Sequence, residues 1–312
     1  MALRKFHHFS LNIPDPFNFS LTVAKPAGWY WSTPREVFLD GILWSALYLQ
    51  DRAVGLKMSG QGSAVDVDVY TDSQLSEEDL NDIQVSVRSG LGADEDLEGF
   101  YRFARDDPIL TQTIGDEYGM RLGVTDNVFG RTILAILLQM APMARSNRMM
   151  NDLLEHFGTR VRFDRKEVIL WPRPADLANV DPKDLRSKAN LGYRAERVVG
   201  AAQYCARHPI SLRELSEMSE EEARDRLLEI PGVGPYSAGI ISWKASLPVD
   251  VWSVVIMSEL VLGHTPENPR REINFVIDAL SRRWGQWKWF AFVYILNDLE
   301  NLGKTHHLSR IE

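Results

Sequence analysis

The 312-residue sequence predicts a mainly α-helical protein with an α+β domain at its amino terminus. Up to residue 72, several segments alternate apolar and polar residues, which is the period of a half-buried β-strand. From about residue 97 onward, apolar residues recur at i, i+3, i+4 and i+7, as in helices that pack in a bundle. A chain of this length usually forms about two domains. We therefore predict one domain over 1–92 and a second over 93–312.

The first domain is predicted to be a small antiparallel sheet with helices. Its strand-like segments are bounded by turn residues and cover 9–13, 19–23, 53–58 and 64–70. Residues 35–50 fit either a strand or a helix. Residues 73–92 have a helical pattern, with Ser76 as the expected cap before three acidic residues that favour a helix start.

The second domain is predicted to be all-α, without an internal repeat. Its helical patterns cover 96–107, 127–142, 143–158, 181–189, 193–208, 215–230, 235–246, 254–263 and 271–303.

Composition narrows the class of protein. The single Cys205 excludes an internal disulfide and a four-cysteine metal site. No apolar run approaches the roughly 18 residues of a membrane span, and the amino terminus lacks a secretory pattern, so we expect a cytoplasmic protein. The net charge is −8, yet residues 131–215 carry 15 Lys/Arg against 9 Asp/Glu. This basic stretch is compatible with a nucleic-acid-facing surface and, equally, with uneven solvated charge.

A Pro-Gly-Val-Gly-Pro sequence separates two helical patterns at residues 231–235. Pro231 would stop the first helix, and Pro235 suits the first turn of the second. Gly232 and Gly234 would allow positive φ and expose bare backbone. The N–H groups at the second helix start would then hold a phosphodiester. Apolar residues on both sides of the turn favour a helix-hairpin-helix motif over a plain αα-hairpin.

A single carboxylate follows this hairpin. Asp250 lies sixteen residues after Gly234, among Val, Pro and Trp. Taken alone, Asp250 would simply cap the next helix. Trp252, two residues later, is expected to fill the core.

The segment LEIPGVGPYSAGIISWKASLPVDVW (228–252) resembles the helix-hairpin-helix DNA glycosylase superfamily. The resemblance covers roughly 97–312 and is strongest to the 3-methyladenine DNA glycosylase II group. NLGYRAERV (190–198) and PVDVW are similar to 8-oxoguanine DNA glycosylases. The resemblance implies a base-excision-repair enzyme that flips an alkylated base, such as 3-methyladenine or 7-methylguanine, out of DNA and hydrolyses its N-glycosidic bond. Asp250 would be the catalytic residue, stabilising positive charge on the sugar and orienting water.

Other site residues follow from the same resemblance. Superfamily members that also nick the strand carry a Lys where this chain has Tyr236, which cannot form a Schiff base. The resemblance therefore implies a monofunctional enzyme in which Tyr236 stacks on the extruded base. Met140 takes the position of a wedge that fills the gap left by that base, with a core methionine as the alternative. Trp287 best matches a pocket-wall tryptophan, and Trp284 and Trp289 are its competitors.

The resemblance also implies the partners. Gly232, Val233 and Gly234 would contact DNA, and the backbone carbonyls of Leu228, Ile230 and Val233 would hold a structural monovalent cation or Mg²⁺. No other cofactor is expected. The expected partner is double-stranded DNA with damaged bases, bound by a nucleoid-associated monomer without membrane contact. Two alternatives are an 8-oxoguanine-type glycosylase and a helix-hairpin-helix DNA-binding protein without catalysis.

Overall fold

The computed structural model describes residues 2–311. The amino-terminal elements are β1 (Arg4–Asn12), α1 (Phe19–Val23), β2 (Val37–Leu39), β3 (Ile42–Leu49), β4 (Arg52–Gln61), β5 (Ala64–Thr71) and α2 (Glu77–Gly90). The strands form one antiparallel sheet in the order β1-β5-β4-β3-β2. Alternate residues such as Val65, Val67 and Val69 are buried in a core shared with Ile83 and Val87 of α2.

Two predictions for this part have opposite outcomes. α2 begins as predicted: Ser76 Oγ accepts the Asp79 N–H at 3.1 Å, and the Asp79 carboxylate accepts the Ser76 N–H at 2.9 Å. The strand predicted at 19–23 is instead the helix α1. Asn18 Oδ1 accepts the Leu21 N–H at 3.1 Å and starts this helix, because a capping side chain decides between strand and helix in so short an apolar segment.

The remaining helices are α3 (Leu97–Ala104), α4 (Pro108–Asp116), α5 (Val128–Leu138), α6 (Met143–Phe157), α7 (Pro174–Leu177), α8 (Pro182–Ala189), α9 (Arg194–Arg207), α10 (Leu212–Glu217), α11 (Glu220–Leu228), α12 (Pro235–Ile241), α13 (Ser253–Met257), α14 (Pro269–Trp284), α15 (Lys288–Asn297) and α16 (Leu299–Thr305). A π-helical turn over Ser258–Leu262 extends α13, and a 3-10 turn over Gly285–Trp287 precedes α15. Within residues 2–311, no helix is long and apolar enough to cross a membrane. The predicted mainly α fold with an α+β amino-terminal part is confirmed.

The region after residue 92 is not all-α as predicted. β6 (Thr159–Phe163) and β7 (Lys166–Leu170) pair as an antiparallel hairpin. The turn residues Asp164 and Arg165 have φ of 44° and 61°, as a tight hairpin turn requires. The apolar face of this hairpin packs on Trp44 and Tyr70 of the five-stranded sheet. Its burial therefore depends on a partner that is distant in the sequence.

The helical part contains two hydrophobic cores. One is formed mainly by α5–α12, and the other by α3, α4 and α13–α16. The chain leaves the first core after Ala245 and enters the second at Leu247 and Val249. Asp250 follows directly, so it lies where the chain crosses between the two cores.

Candidate active site

The hairpin has the predicted geometry at its first glycine. α11 ends at Leu228, and Pro231 and Gly232 turn the chain toward α12. Gly232 has a φ of +86°, which residues with a Cβ adopt only at a cost. A Cβ on Gly232 would lie 2.8 Å from Cβ of Arg197, because α9 packs directly against the turn. The fold itself therefore requires glycine at position 232.

The second glycine does not have the predicted positive φ. Gly234 is extended, with φ −117° and ψ −178°, and a Cβ there would meet nothing within 4 Å. Nothing within the fold requires glycine at this position. The open space lies at the start of α12, where a ligand can approach the backbone.

Several N–H groups near this space lack acceptors. Ala238 N–H donates to Gly234 O at 2.8 Å and makes the first bond of α12. Among the described residues, no backbone hydrogen bond uses the N–H groups of Gly234, Tyr236 and Ser237. Free N–H groups at a helix start are suited to an anion such as phosphate.

The three carbonyls predicted to hold a cation differ in their bonding. Ile230 O accepts the Val233 N–H at 3.0 Å. The oxygens of Leu228 and Val233 accept no backbone hydrogen bond of the turn within residues 2–311. Two of the three oxygens are therefore available as the hard ligands that such a cation prefers.

Gln139 connects the hairpin to the turn between α5 and α6. Its Nε2 donates to Gly232 O at 2.7 Å and to Ser237 Oγ at 2.9 Å. Its main-chain and side-chain oxygens accept hydrogen bonds from Arg194 and Arg197 of α9, respectively. Gln139 thus ties together three elements that are far apart in the sequence, a role that no motif indicated.

Met140 lies at the tip of the α5–α6 turn. Its φ is +50°, in the left-handed region, and its side chain is 79% exposed. Met143, at the start of α6, is exposed as well. An exposed side chain on a strained backbone is not part of a core, so the alternative of a core methionine is wrong.

Asp250 is half-buried and is held by the start of α13. Its Oδ1 accepts the N–H groups of Trp252 at 3.0 Å and Ser253 at 2.8 Å, and the Ser253 hydroxyl at 2.9 Å. Val254 N–H donates to Asp250 O at 2.9 Å, so Asp250 caps the helix, as predicted from sequence. Within residues 2–311, no hydrogen-bond donor reaches Oδ2. One carboxylate oxygen is therefore fixed while the other is free.

The segment that precedes Asp250 is pressed against α12. A Cβ on Gly239 would lie 2.8 Å from Ser246 O and 3.0 Å from Pro248 N. Only a glycine in α12 permits this close backbone approach. Gly239 thereby sets the path along which the chain reaches Asp250.

α12 is shorter than predicted. It ends at Ile241 and not at Ser246, because the Arg131 guanidinium donates to the carbonyls of Ile240 and Ile241 at 2.6 Å each. These bonds satisfy carbonyls that a continuing helix would otherwise use. Lys244 therefore lies in the turn after α12.

Tyr236 lies in the first turn of α12 and is half-buried. Burial raises the pKa of its phenol, and the nearby Asp250 carboxylate raises it further. The structure thus brings Tyr236 and Asp250 into one region, where Tyr236 presents a neutral ring and no amine.

A cavity of about 320 Å³ opens beside the Asp250 turn. It is lined by Trp252, by residues 296–301 at the α15–α16 junction, by Pro26–Ala27 and by Asp116–Glu117, and we call it the acidic cavity. Ala27 N–H donates to Asn297 Oδ1 at 3.0 Å and links the amino-terminal part to α15. Trp252 is 41% exposed, so the prediction that it fills the core is wrong.

The structure places Trp287 away from this cavity. Its ring packs on Phe100 and Phe290 at centroid distances of 5.9 and 5.8 Å. Trp287 directly precedes α15, whereas the cavity lies at the other end of that helix, about 15 Å along its axis. None of the three tryptophans considered for the pocket wall lines the acidic cavity, while Trp252 does. Periodicity cannot tell which end of a helix faces a cavity.

Solved structures of DNA glycosylases share this fold. The 3-methyladenine DNA-glycosylase from Archaeoglobus fulgidus matches with a TM-score of 0.73 at 18% identity, covering 94% of this chain and 99% of that one. The 8-oxoguanine glycosylase/lyase of Clostridium acetobutylicum gives 0.71 at 17% identity, covering 95% and 98%.

Sequence comparison agrees with the fold. The DNA-3-methyladenine glycosylase of Bacillus subtilis is 24% identical over 249 residues, which are 75% of this chain and 81% of the relative. No family model matches the chain. The relatives and the structures are consistent with the helix-hairpin-helix DNA glycosylase superfamily, and the resemblance noted in the sequence is confirmed.

Proposed function

We propose that this chain is a monofunctional DNA glycosylase that removes alkylated bases from duplex DNA. DNA N-glycosylase activity is the activity for which its relatives are named. The observation that supports it most strongly is the state of Asp250. One oxygen of this carboxylate is fixed by two N–H groups and a hydroxyl, and no donor among residues 2–311 reaches the other.

Asp250 acts on the sugar of the flipped nucleotide. As the glycosidic bond breaks, its electron pair leaves with the base and positive charge develops at C1′ of the sugar. The Asp250 carboxylate stabilises this charge and orients a water that attacks the same carbon. The proton lost by that water passes to Asp250 or to solvent.

The hairpin and the α5–α6 turn hold the DNA. Free N–H groups at the start of α12 bind a phosphate without reading sequence. Met140 enters the stack where the flipped base leaves a gap. A monovalent cation or Mg²⁺ held by the carbonyls of Leu228, Ile230 and Val233 would add positive charge toward that phosphate.

The alkylated-base substrate is favoured over the oxidised-guanine alternative by sequence likeness to a DNA-3-methyladenine glycosylase. The alternative retains support, since the fold is equally that of an 8-oxoguanine glycosylase/lyase. A lyase step needs an amine that attacks the sugar, and Tyr236 offers none. We therefore expect borohydride to trap no covalent adduct with lesion-bearing DNA.

We propose that the enzyme binds damaged duplex DNA as a monomer, at the nucleoid in the cytoplasm.

The test uses duplexes that each carry one defined lesion, with alkali cleavage to reveal lost bases. We expect release of 3-methyladenine or 7-methylguanine by the wild type, and a fall of about 100- to 1,000-fold in Asp250→Asn, as for the loss of a group that stabilises transition-state charge. The matched control is Asp278→Asn, an exposed acid of α14.

Each other outcome points to a different function. Release of 8-oxoguanine alone would support the oxidised-guanine alternative. Binding without release of any base would support a non-catalytic DNA-binding protein.

A further inference from the structure

Two acids that line the acidic cavity, Glu117 and Asp298, have buried carboxyl oxygens without partners. Glu117 is only 2% exposed, and both of its carboxyl oxygens are buried without a hydrogen-bond donor. Asp298 is also 2% exposed; Asn301 donates to its Oδ1 at 2.8 Å, but its Oδ2 has no donor. Buried polar atoms without partners are rare and costly, so this arrangement needs an explanation.

The charged groups around Glu117 and Asp298 do not compensate these two buried acids. The charged groups that face Glu117 are Asp298 and Asp116, which are acidic themselves. Lys304 faces Asp298, but it is exposed and lies 4.0 Å from Glu300. Burial, followed by the neighbouring acids, raises the pKa of Glu117 to about 9. Glu117 is therefore a neutral acid near pH 7 while the cavity holds no cation.

The structure does not favour a metal ion as the partner of Glu117 and Asp298. Over the described residues 2–311, no group of three or more His, Cys, Asp or Glu side chains is arranged to hold one. The cavity instead has the volume of a small-molecule site and an indole ring in its wall, that of Trp252. These features suit a flat ring that carries positive charge.

We propose that Glu117, assisted by Asp298, selects cationic nucleobases inside the acidic cavity. This inference rests on the proposed glycosylase function. Methylation at N3 of adenine or N7 of guanine leaves the base of the nucleotide positively charged. When such a base enters, the Glu117 side chain turns toward it and releases its proton to solvent, and the resulting carboxylate pairs with the cation and accepts its N–H groups. A neutral base does not promote this ionisation, since it would leave a buried charge unpaired.

The primary test compares a cationic lesion with a neutral one. Glu117→Gln keeps the shape of the side chain and removes its ability to ionise. Single-turnover excision is measured for duplexes with 7-methylguanine and with hypoxanthine, which is neutral. We expect the ratio of the two rates to fall about 10- to 100-fold, as for the loss of a hydrogen bond to a charged group.

Glu98→Gln is the control, because Glu98 is an exposed acid of α3 outside the cavity. An unchanged ratio in Glu117→Gln, or an equal fall in Glu98→Gln, overturns the inference. A wild type that excises neither lesion contradicts the proposed alkylated-base activity, whereas excision of both without dependence on Glu117 contradicts only this selection.

A second measurement does not depend on catalysis. In the Asp250→Asn background, binding of a 7-methylguanine duplex is followed by calorimetry in two buffers of different ionisation enthalpy. We expect about one proton to be released when Glu117 is present and none after Glu117→Gln, since only the former ionises on pairing with a cation. Equal proton release in both proteins overturns the inference. Urea unfolding of Glu117→Gln confirms that the variant is folded.

Discussion

Gly239 decides where Asp250 can lie. The backbone of 246–248 approaches so closely that a methyl group on Gly239 would meet Ser246 O at 2.8 Å. A shift of the 246–248 segment would carry Asp250 with it, and its hydrogen bonds to Trp252 and Ser253 cannot correct a shift of the whole turn. The position of the carboxylate thus depends on a residue with no chemistry of its own.

Gly239→Ala tests this dependence. We expect the substitution to lower the free energy of unfolding by ~1–3 kcal/mol through overpacking, and to reduce base excision because the carboxylate moves. Urea unfolding and single-turnover excision measure the two effects.

Gly115→Ala is the matched control, because a Cβ on this helical glycine of α4 would meet nothing within 4 Å. It should be neutral or stabilising by ~0.5–1 kcal/mol. Wild-type stability and excision in Gly239→Ala would show that the close approach does not matter.

Some properties of single residues could be predicted from the sequence, and others could not. Asp250 as a helix cap and Met140 outside the core are consistent with local patterns. Glu117 and Asp298 could not be paired from sequence, because they meet only through the tertiary fold. Trp287 as a pocket-wall residue stays a prediction, and its packing on Phe100 is a tertiary contact that no spacing reveals.

At the scale of elements, the turn between α5 and α6 combines an unfavourable backbone conformation with an exposed side chain at the same residue. Met140 has a left-handed backbone and an exposed side chain. Gln139 holds the same turn against the hairpin through Gly232 and Ser237. The turn is thereby rigid at its base and apolar at its tip, as a wedge must be to enter a base stack.

Met140→Gly separates these two properties. The left-handed conformation costs a residue with a Cβ about 1–2 kcal/mol, so we expect the variant to be more stable toward urea by up to about that amount. Excision from duplex DNA should nevertheless fall about tenfold or more, because nothing fills the vacated position in the stack.

Two comparisons make the Met140 result specific. Met140→Leu keeps an apolar side chain and should retain more activity than the glycine variant. On a single-stranded substrate the loss should shrink, since no paired stack has to be filled. An equal loss on both substrates would contradict the wedge.

Elements were predictable where their signal is local. α2, α5, α6 and α9 follow from helical period and capping residues. The hairpin of β6 and β7 did not stand out, since its Asp164–Arg165 turn is not one of the Asn-Gly or Asp-Gly pairs that mark such turns. α12 ended early because Arg131, distant in the sequence, binds its last carbonyls.

For the whole molecule, the buried acids make stability depend on pH. Burial is the main cause that raises the pKa of Glu117 from 4.5 to about 9 and that of Asp298 from 3.8 to about 6. At a pH between the pKa of such a group in the unfolded state and its pKa in the folded state, the folded state binds more protons than the unfolded state. The contribution of these groups to the free energy of unfolding is therefore fully present at low pH, and it is lost as the pH rises through their folded-state pKa values.

We expect the urea midpoint of the wild type to fall between about pH 6 and about pH 9, as Glu117 is forced to ionise in a buried site. Glu117→Gln should show a smaller fall and exceed the wild type at the alkaline end. Equilibrium unfolding across this pH range measures both. Glu98→Gln should decline like the wild type, and the same decline in all three proteins would rule out Glu117 as the source.

The hydrogen bond between Ala27 and Asn297 has a consequence for how the enzyme can be altered. The loop with Pro26 and Ala27 supplies one side of the acidic cavity, while the hairpin, Met140 and Asp250 belong to the helical part. One wall of the cavity and the Asp250 turn are therefore encoded in separate stretches of the gene. Exchange of the loop around Ala27 offers a route to new lesion preferences that leaves the Asp250 turn untouched.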